Sequence, residues 1–172
     1  MNTTTVLIGN ISALLAMITN AFSATRKTSR GILLSQNLTQ AIYCITAIIL
    51  GGYSAAVQNA VSILRNFAAI GNKRSKVVQW GLVLTGVVLG VAVNNRGLIG
   101  LLPVISNLMY TIAVFRFVNK ERALKISFLI SVVFFVVFNL AIMNFVGALA
   151  DTVVIVTTAV ALIRSKPKKS ED

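Results

Sequence analysis

Residues 144–163 read NFVGALADTVVIVTTAVALI, a helix-length run in which one charged residue, Asp151, interrupts a sequence otherwise suited to lipid. At 1.5 Å per residue, a run of this length covers the roughly 30 Å hydrocarbon layer of a bilayer. An aspartate near a helix centre costs about 2.5–3.5 kcal/mol on insertion scales, and each valine, leucine or isoleucine returns about 0.3–0.6. Val146, Leu149, Val153, Val154, Ile155, Val156, Val160, Leu162 and Ile163 together offset that cost. The segment can insert, and its carboxylate then needs a polar place to point. Ionisable groups within spans face a bundle interior or a wet cavity and are functional by default. The plainer alternative is that Asp151 only ties its helix to a neighbour.

The rest of the chain follows the same pattern. Of its 172 residues, 56% are hydrophobic, and the mean hydropathy is +0.86, more than a soluble core requires. Seven apolar stretches, at about 5–23, 31–50, 53–71, 77–94, 97–117, 124–142 and 145–163, leave no room for a separate soluble domain. The expected fold is an all-α membrane protein with seven transmembrane helices.

Sixteen Lys and Arg against four acidic residues give a net charge of +12, which raises the question of nucleic acid. Their placement argues against it. Arg26, Lys27 and Arg30 follow the first span, and Lys73, Arg74 and Lys76 the third. Arg116, Lys120, Arg122 and Lys125 surround the junction of the fifth and sixth, and Arg164, Lys166, Lys168 and Lys169 end the chain. The turns after the second and sixth spans are uncharged, and that after the fourth carries only Arg96. With seven spans the basic groups fall on one side, the cytoplasmic excess of membrane loops, so the amino terminus is expected outside and the carboxyl terminus inside. These clusters mark topology and attract anionic lipid; the tail KPKKSED is expected to be solvated.

The first apolar run has no preceding positive residue and is too long for a signal-peptide core. Cys44 is alone and there is no histidine, so no metal or cofactor site is expected. No phosphate-binding glycine loop, nucleophile elbow or paired-carboxylate site appears, so no catalytic residues and no enzymatic activity are expected.

Shifting residues 4–72 by 92 onto 96–164, without a gap, superposes the first three spans on the last three. Identities are few (Met17, Thr19, Ala21, Arg30, Ser35, Ala56, Val61, Ile63 and Ala69 match their counterparts), but span limits, the basic first loop and the uncharged second turn all come into register. A three-span unit reverses sides, so two units in one orientation need an extra crossing, which the fourth span supplies. The expected organisation is a first three-helix bundle (1–72), a linker helix (73–95), a second, parallel three-helix bundle (96–164) and a cytoplasmic tail (165–172). In transporters built this way the pathway runs between the repeats near mid-membrane.

Under the shift, Asn59 falls on Asp151. Gln58, Asn59, Ser62, Arg65 and Asn66 recur at spacings of three and four, one polar stripe along the third span. Arg65 is either a snorkelling residue or the counter-charge of Asp151, about 9 Å deeper by helix rise. The fifth span adds Pro103, Ser106, Asn107, Tyr110 and Thr111; Pro103 removes a backbone hydrogen bond and either bends the helix for function or sets a static kink. Asn139 and the cluster SQNLTQ (Ser35–Gln40) are weaker candidates, since such residues often only bond between helices. Gly86 and Gly90 permit close helix approach, within the bundle or in a homo-oligomer, and Trp80 reads as an interface anchor.

LLPVI (Leu101–Ile105), AVFR (Ala113–Arg116), Asn59-Ala60 after GGYSAA, Asn139 and the acidic Asp151 together resemble the YgjV-type bacterial inner membrane proteins, over nearly the whole chain. That family is similar in plan to the SWEET and PQ-loop (MtN3-like) transporters, with the same three, one, three arrangement. The resemblance implies an inner-membrane location and a small-solute pathway. In SWEET transporters, asparagines on the third and seventh spans contact substrate; Asn59 matches the first, Asp151 replaces the second, and neither the Pro-Gln motif nor the intramembrane proline set is present. An acidic group there suits a cation, an amine-bearing solute or a coupled proton. The expected function is alternating-access transport, with Asp151 and Asn59 as the binding pair. The other reading is a non-transporting receptor that binds a partner or peptide in its polar interior.

Overall fold

The computed structural model describes residues 2–24, 29–71, 75–116 and 121–164. They form α1 (Thr3–Ala24), α2 (Ser29–Ile49), α3 (Tyr53–Ile70), α4 (Lys76–Ala92), a single turn α5 (Gly97–Gly100), α6 (Leu102–Arg116), α7 (Glu121–Ala141) and α8 (Phe145–Arg164), with no strand among the described residues. Each expected span is a helix within a few residues of its expected limits. The fifth is broken at Leu101 into α5 and α6, with Pro103 in the first turn of α6, where its missing N–H costs least. Arg26, Lys27, Lys73, Arg74, Lys120 and the tail lie outside the described residues.

The burial pattern is that of a soluble protein turned inside out. Asn37, Thr46, Ser54, Gln58, Ser62, Asn66 and Ser106 are buried, whereas Leu7, Ile8, Phe22, Leu84, Trp80, Leu149 and Val156 are among many large apolar side chains left exposed. Apolar surface on this scale needs a nonaqueous surrounding, and the helices find it in lipid. By length and composition alone, only α1 (through Thr3–Phe22) qualifies as a span among the described residues; five further apolar stretches, such as Leu33–Ile49 and Lys76–Ala92, are shorter. The polar stripe of α3 keeps that helix out of both groups.

The 92-residue shift also relates helix limits. Tyr53 and Phe145 open α3 and α8, Ser29 and Glu121 open α2 and α7, and Ile49 and Ala141 close them, all at the same offset. The turns match bond for bond. Gly52 N–H donates to Ala47 O (2.7 Å) and Gly51 N–H to Ile48 O (3.1 Å); Asn144 donates to Asn139 O (2.8 Å) and Met143 to Leu140 O (3.1 Å). Both are Schellman caps, with the left-handed position held by Gly51 (φ 68°) in one and Met143 (φ 61°) in the other. Exposed carbonyls at the two caps are satisfied differently. Arg96 donates from Nε to Gly51 O (3.0 Å) and from Nη2 to Leu50 O (2.9 Å), while Asn10 donates to Met143 O (2.9 Å) and accepts from Val146 N–H (2.9 Å). A side chain in the left-handed region costs about 1 kcal/mol or more. Met143→Gly is therefore expected to raise the melting temperature in detergent, and Gly51→Ala, whose Cβ would lie 2.9 Å from Arg96 Nη2, to lower it.

Packing follows chain order. α1 touches α2, α2 touches α3, α3 touches α6, α6 touches α7, α7 touches α8, and α8 returns to α1. Six helices thus close a ring, and the 92-residue shift maps each contact in it onto another. Within each trio the outer helices, α1 with α3 and α6 with α8, make no contact among the described residues, so each trio is a curved row. A compact trio would bury its polar stripe against itself; a row turns the stripe toward a shared centre. α4 lies outside the ring in the seam between α3 and α6. A Cβ on Gly86 would sit 3.2 Å from Gln58 Oε1, and one on Gly90 2.5 Å from Gln58 Nε2 and 2.8 Å from Val104 Cγ2, so the glycine pair serves packing within the bundle.

Candidate functional site

The ring encloses a cavity of about 330 Å³ to which all six of its helices contribute side chains. One end lies beneath the two Schellman turns, where Leu50, Phe138 and Ile142 are almost wholly buried and pack with Ala47, Ala55 and Ala56. This apolar plug fills that end. Toward the other end the lining includes Gln36, Arg65, Asn66, Tyr110 and Asn20, the last of them exposed, so the cavity reaches the surface there.

Asp151 lies under the plug. Gly147 N–H donates to Asn144 Oδ1 (3.0 Å), Asn144 Nδ2 to Asn139 Oδ1 (2.9 Å), and Asn139 Nδ2 to Asp151 Oδ2 (2.8 Å). The chain of amides fixes one carboxylate oxygen and leaves Oδ1 without a protein donor among the described residues. Asp151 Oδ1 is also not among the sealed polar atoms, so it faces the cavity. Tyr43 of α2 is its electrostatic neighbour. Arg65 stands farther along and has Tyr110 as its electrostatic neighbour. No ion pair joins Asp151 to Arg65 among the described residues, so Arg65 is not the direct counter-charge of the carboxylate.

Of the residues singled out in the sequence, Asp151, Asn59, Arg65, Ser62, Gln58, Asn107, Tyr110 and Asn139 all line the cavity. Gln58 is committed elsewhere: its Nε2 donates to Gly86 O (2.8 Å) and its Oε1 accepts from Asn107 Nδ2 (2.7 Å), which locks α3 to α4 and α6. Both residues act as braces as well as lining. Pro103 is buried but does not line the cavity; it sits at the break in the fifth span. Ser106 is likewise structural, donating to Ser131 O (2.9 Å) on α7. Within SQNLTQ, Gln36, Thr39 and Gln40 face the cavity, whereas the amide of Asn37 is buried with no partner.

Sequence reasoning passed over Tyr43 and Asn144. Gln36, Gln40 and Tyr43 form a stripe at helical spacing that would have pointed to α2 as a wall. Asn144 lies in a turn, where no periodicity signals it. The apolar wall opposite comes from Phe128, Val132 and Phe135 of α7, the 92-residue counterparts of Gln36, Gln40 and Tyr43.

Taken together, lipid-facing helices and a polar centre with a part-buried carboxylate define an integral membrane protein with a small-molecule-sized cavity. Residues 7–169 match the family model Imp-YgjV, described as bacterial inner membrane protein, and the chain belongs to that family. Its place is the bacterial inner membrane. Neither a curated protein nor a solved structure matches the chain.

Proposed function

We propose that this protein is a small-solute transporter of the inner membrane that alternates access by rocking residues 1–72 against 96–164, with α4 as the linker. The observation that carries the reading is the central cavity at the interface of the two repeats, plugged at one end and reaching the surface at the other. Such a site is where repeat-built transporters hold solute. With the amino terminus outside, as the basic loops suggest, the plug is periplasmic and the cavity faces the cytoplasm. Asp151 and Asn59 hold the solute, Arg65 tunes the charge, and the break at Pro103 lets the fifth span bend. The carboxylate favours a cationic or amine-bearing solute, or a coupled proton.

Uptake into proteoliposomes across a metabolite panel tests this. Asp151→Asn keeps shape and removes charge, and is expected to weaken apparent affinity about tenfold, the low end for a hydrogen bond to a charged group. A transported solute whose affinity ignores the substitution would remove Asp151 from the site. The receptor reading requires the plug to stay shut in every state. Cys44, which packs against the plug and donates to Ala56 O (3.4 Å), reports on this. Solute-dependent labelling of Cys44 from the periplasmic side supports transport.

A further inference from the structure

The cavity holds two opposite charges that do not neutralise each other. Asp151 lies six residues past the first residue of α8, Phe145, and Arg65 twelve past the first residue of α3, Tyr53. These helices are repeat counterparts that run parallel, so the two attachment points differ by about 9 Å along the bundle axis at 1.5 Å per residue. Asp151 Oδ1 faces the cavity without a protein donor. The Arg65 guanidinium has no hydrogen-bonded acceptor among the described residues, and none of its nitrogens is sealed away. α2 lines the same cavity mostly with polar side chains and α7 mostly with apolar ones.

A charge buried in a membrane protein is costly unless something answers it, and here the protein answers neither in full. We infer that the site takes a linear zwitterion, with its ammonium on Asp151 Oδ1, its carboxylate on Arg65 and its apolar spacer along Phe128 and Phe135. Arginine suits the second role because its planar fork binds carboxylate bidentately. The axial offset of the two attachment points favours a zwitterion with separated charges, an ω-amino acid or a dipeptide, over an α-amino acid, whose two charges share one carbon. The inference rests on the transport reading in that it names the solute class of the same site.

The test is calorimetric binding to the purified full-length chain in detergent. Linear ω-amino acids of increasing length, starting at glycine, are compared with alkylamines and alkanoates of the same lengths. One intermediate ω-amino acid is expected to bind at least about tenfold more tightly than either singly charged analogue. Asp151→Asn should abolish its advantage over the alkanoate, and Arg65→Gln its advantage over the amine, with Arg65→Lys recovering part of the latter. Unchanged melting temperatures certify that the variants are folded. Amines that bind as well as the zwitterions, and are indifferent to Arg65→Gln, would overturn the inference and leave a cation transporter standing. Folded protein that binds no member of the series at any length overturns it too. Zwitterion binding without uptake of the same compound by proteoliposomes upholds the inference and removes transport.

Discussion

Phe138→Ala is expected to open the apolar plug and destabilise the protein by about 2–3 kcal/mol. The ring of Phe138 is wholly buried and lies on the backbone of Gly52: a Cβ there would be 2.9 Å from Phe138 Cζ and 3.2 Å from Ile142 Cδ1. In water, Phe→Ala loses both transfer and cavity free energy. In a bilayer the unfolded helix already shows its phenyl group to lipid, so most of the transfer contribution vanishes and loss of packing dominates. Removing roughly 100 Å³ at about 24 cal/mol per Å³ gives the figure stated. Two measurements check it. The detergent melting temperature should fall, and Cys44, partly buried against the same cluster, should react at least about tenfold faster with a membrane-impermeant maleimide. An unchanged labelling rate in a folded variant would mean that the plug seals nothing.

Gly90→Leu is expected to expel α4 from its seam. Even one added carbon would lie 2.5 Å from Gln58 Nε2 and 2.8 Å from Val104 Cγ2, and Gln58 is not free to retreat, because it is bonded at both ends of its amide. Overpacking costs about 1–3 kcal/mol, and two displaced hydrogen bonds add about 0.5–1.5 kcal/mol each. Gly81→Leu is the control, since a Cβ on Gly81 would meet nothing within 4 Å. A drop in melting temperature for Gly90→Leu but not for Gly81→Leu is the expected result. Equal behaviour of the two would show that α4 is held by lipid-side contacts alone.

Much of the fold was legible before any coordinates. Gly51 and Met143, the two left-handed cap residues, are 92 positions apart, as the gapless shift requires, and a weak count of identities concealed an agreement that the backbone makes plain. Boundaries survived because they depend on local signals: apolar length, turn residues and the placement of charge. The candidate site was legible as a set of residues and not as an arrangement. Gln58 and Asn59 look alike in the stripe and both line the cavity, yet Gln58 is also spent bracing three helices. Pro103 stands out in a sequence reading and turns out to shape its helix without lining the cavity.

The sequence by itself determined the seven apolar helices and their turns, because lipid selects for apolar length and the helix repeats every 3.6 residues, both properties of short stretches. Only the tertiary structure decided that the trios are open rows closing into one ring, that Asn139 rather than Arg65 holds Asp151, and that a phenylalanine from α7 shuts one end. Those outcomes depend on which helix faces meet across a separation of many residues, and the hydrogen-bond partner of a buried polar group is fixed by that meeting, not by its neighbours in the chain.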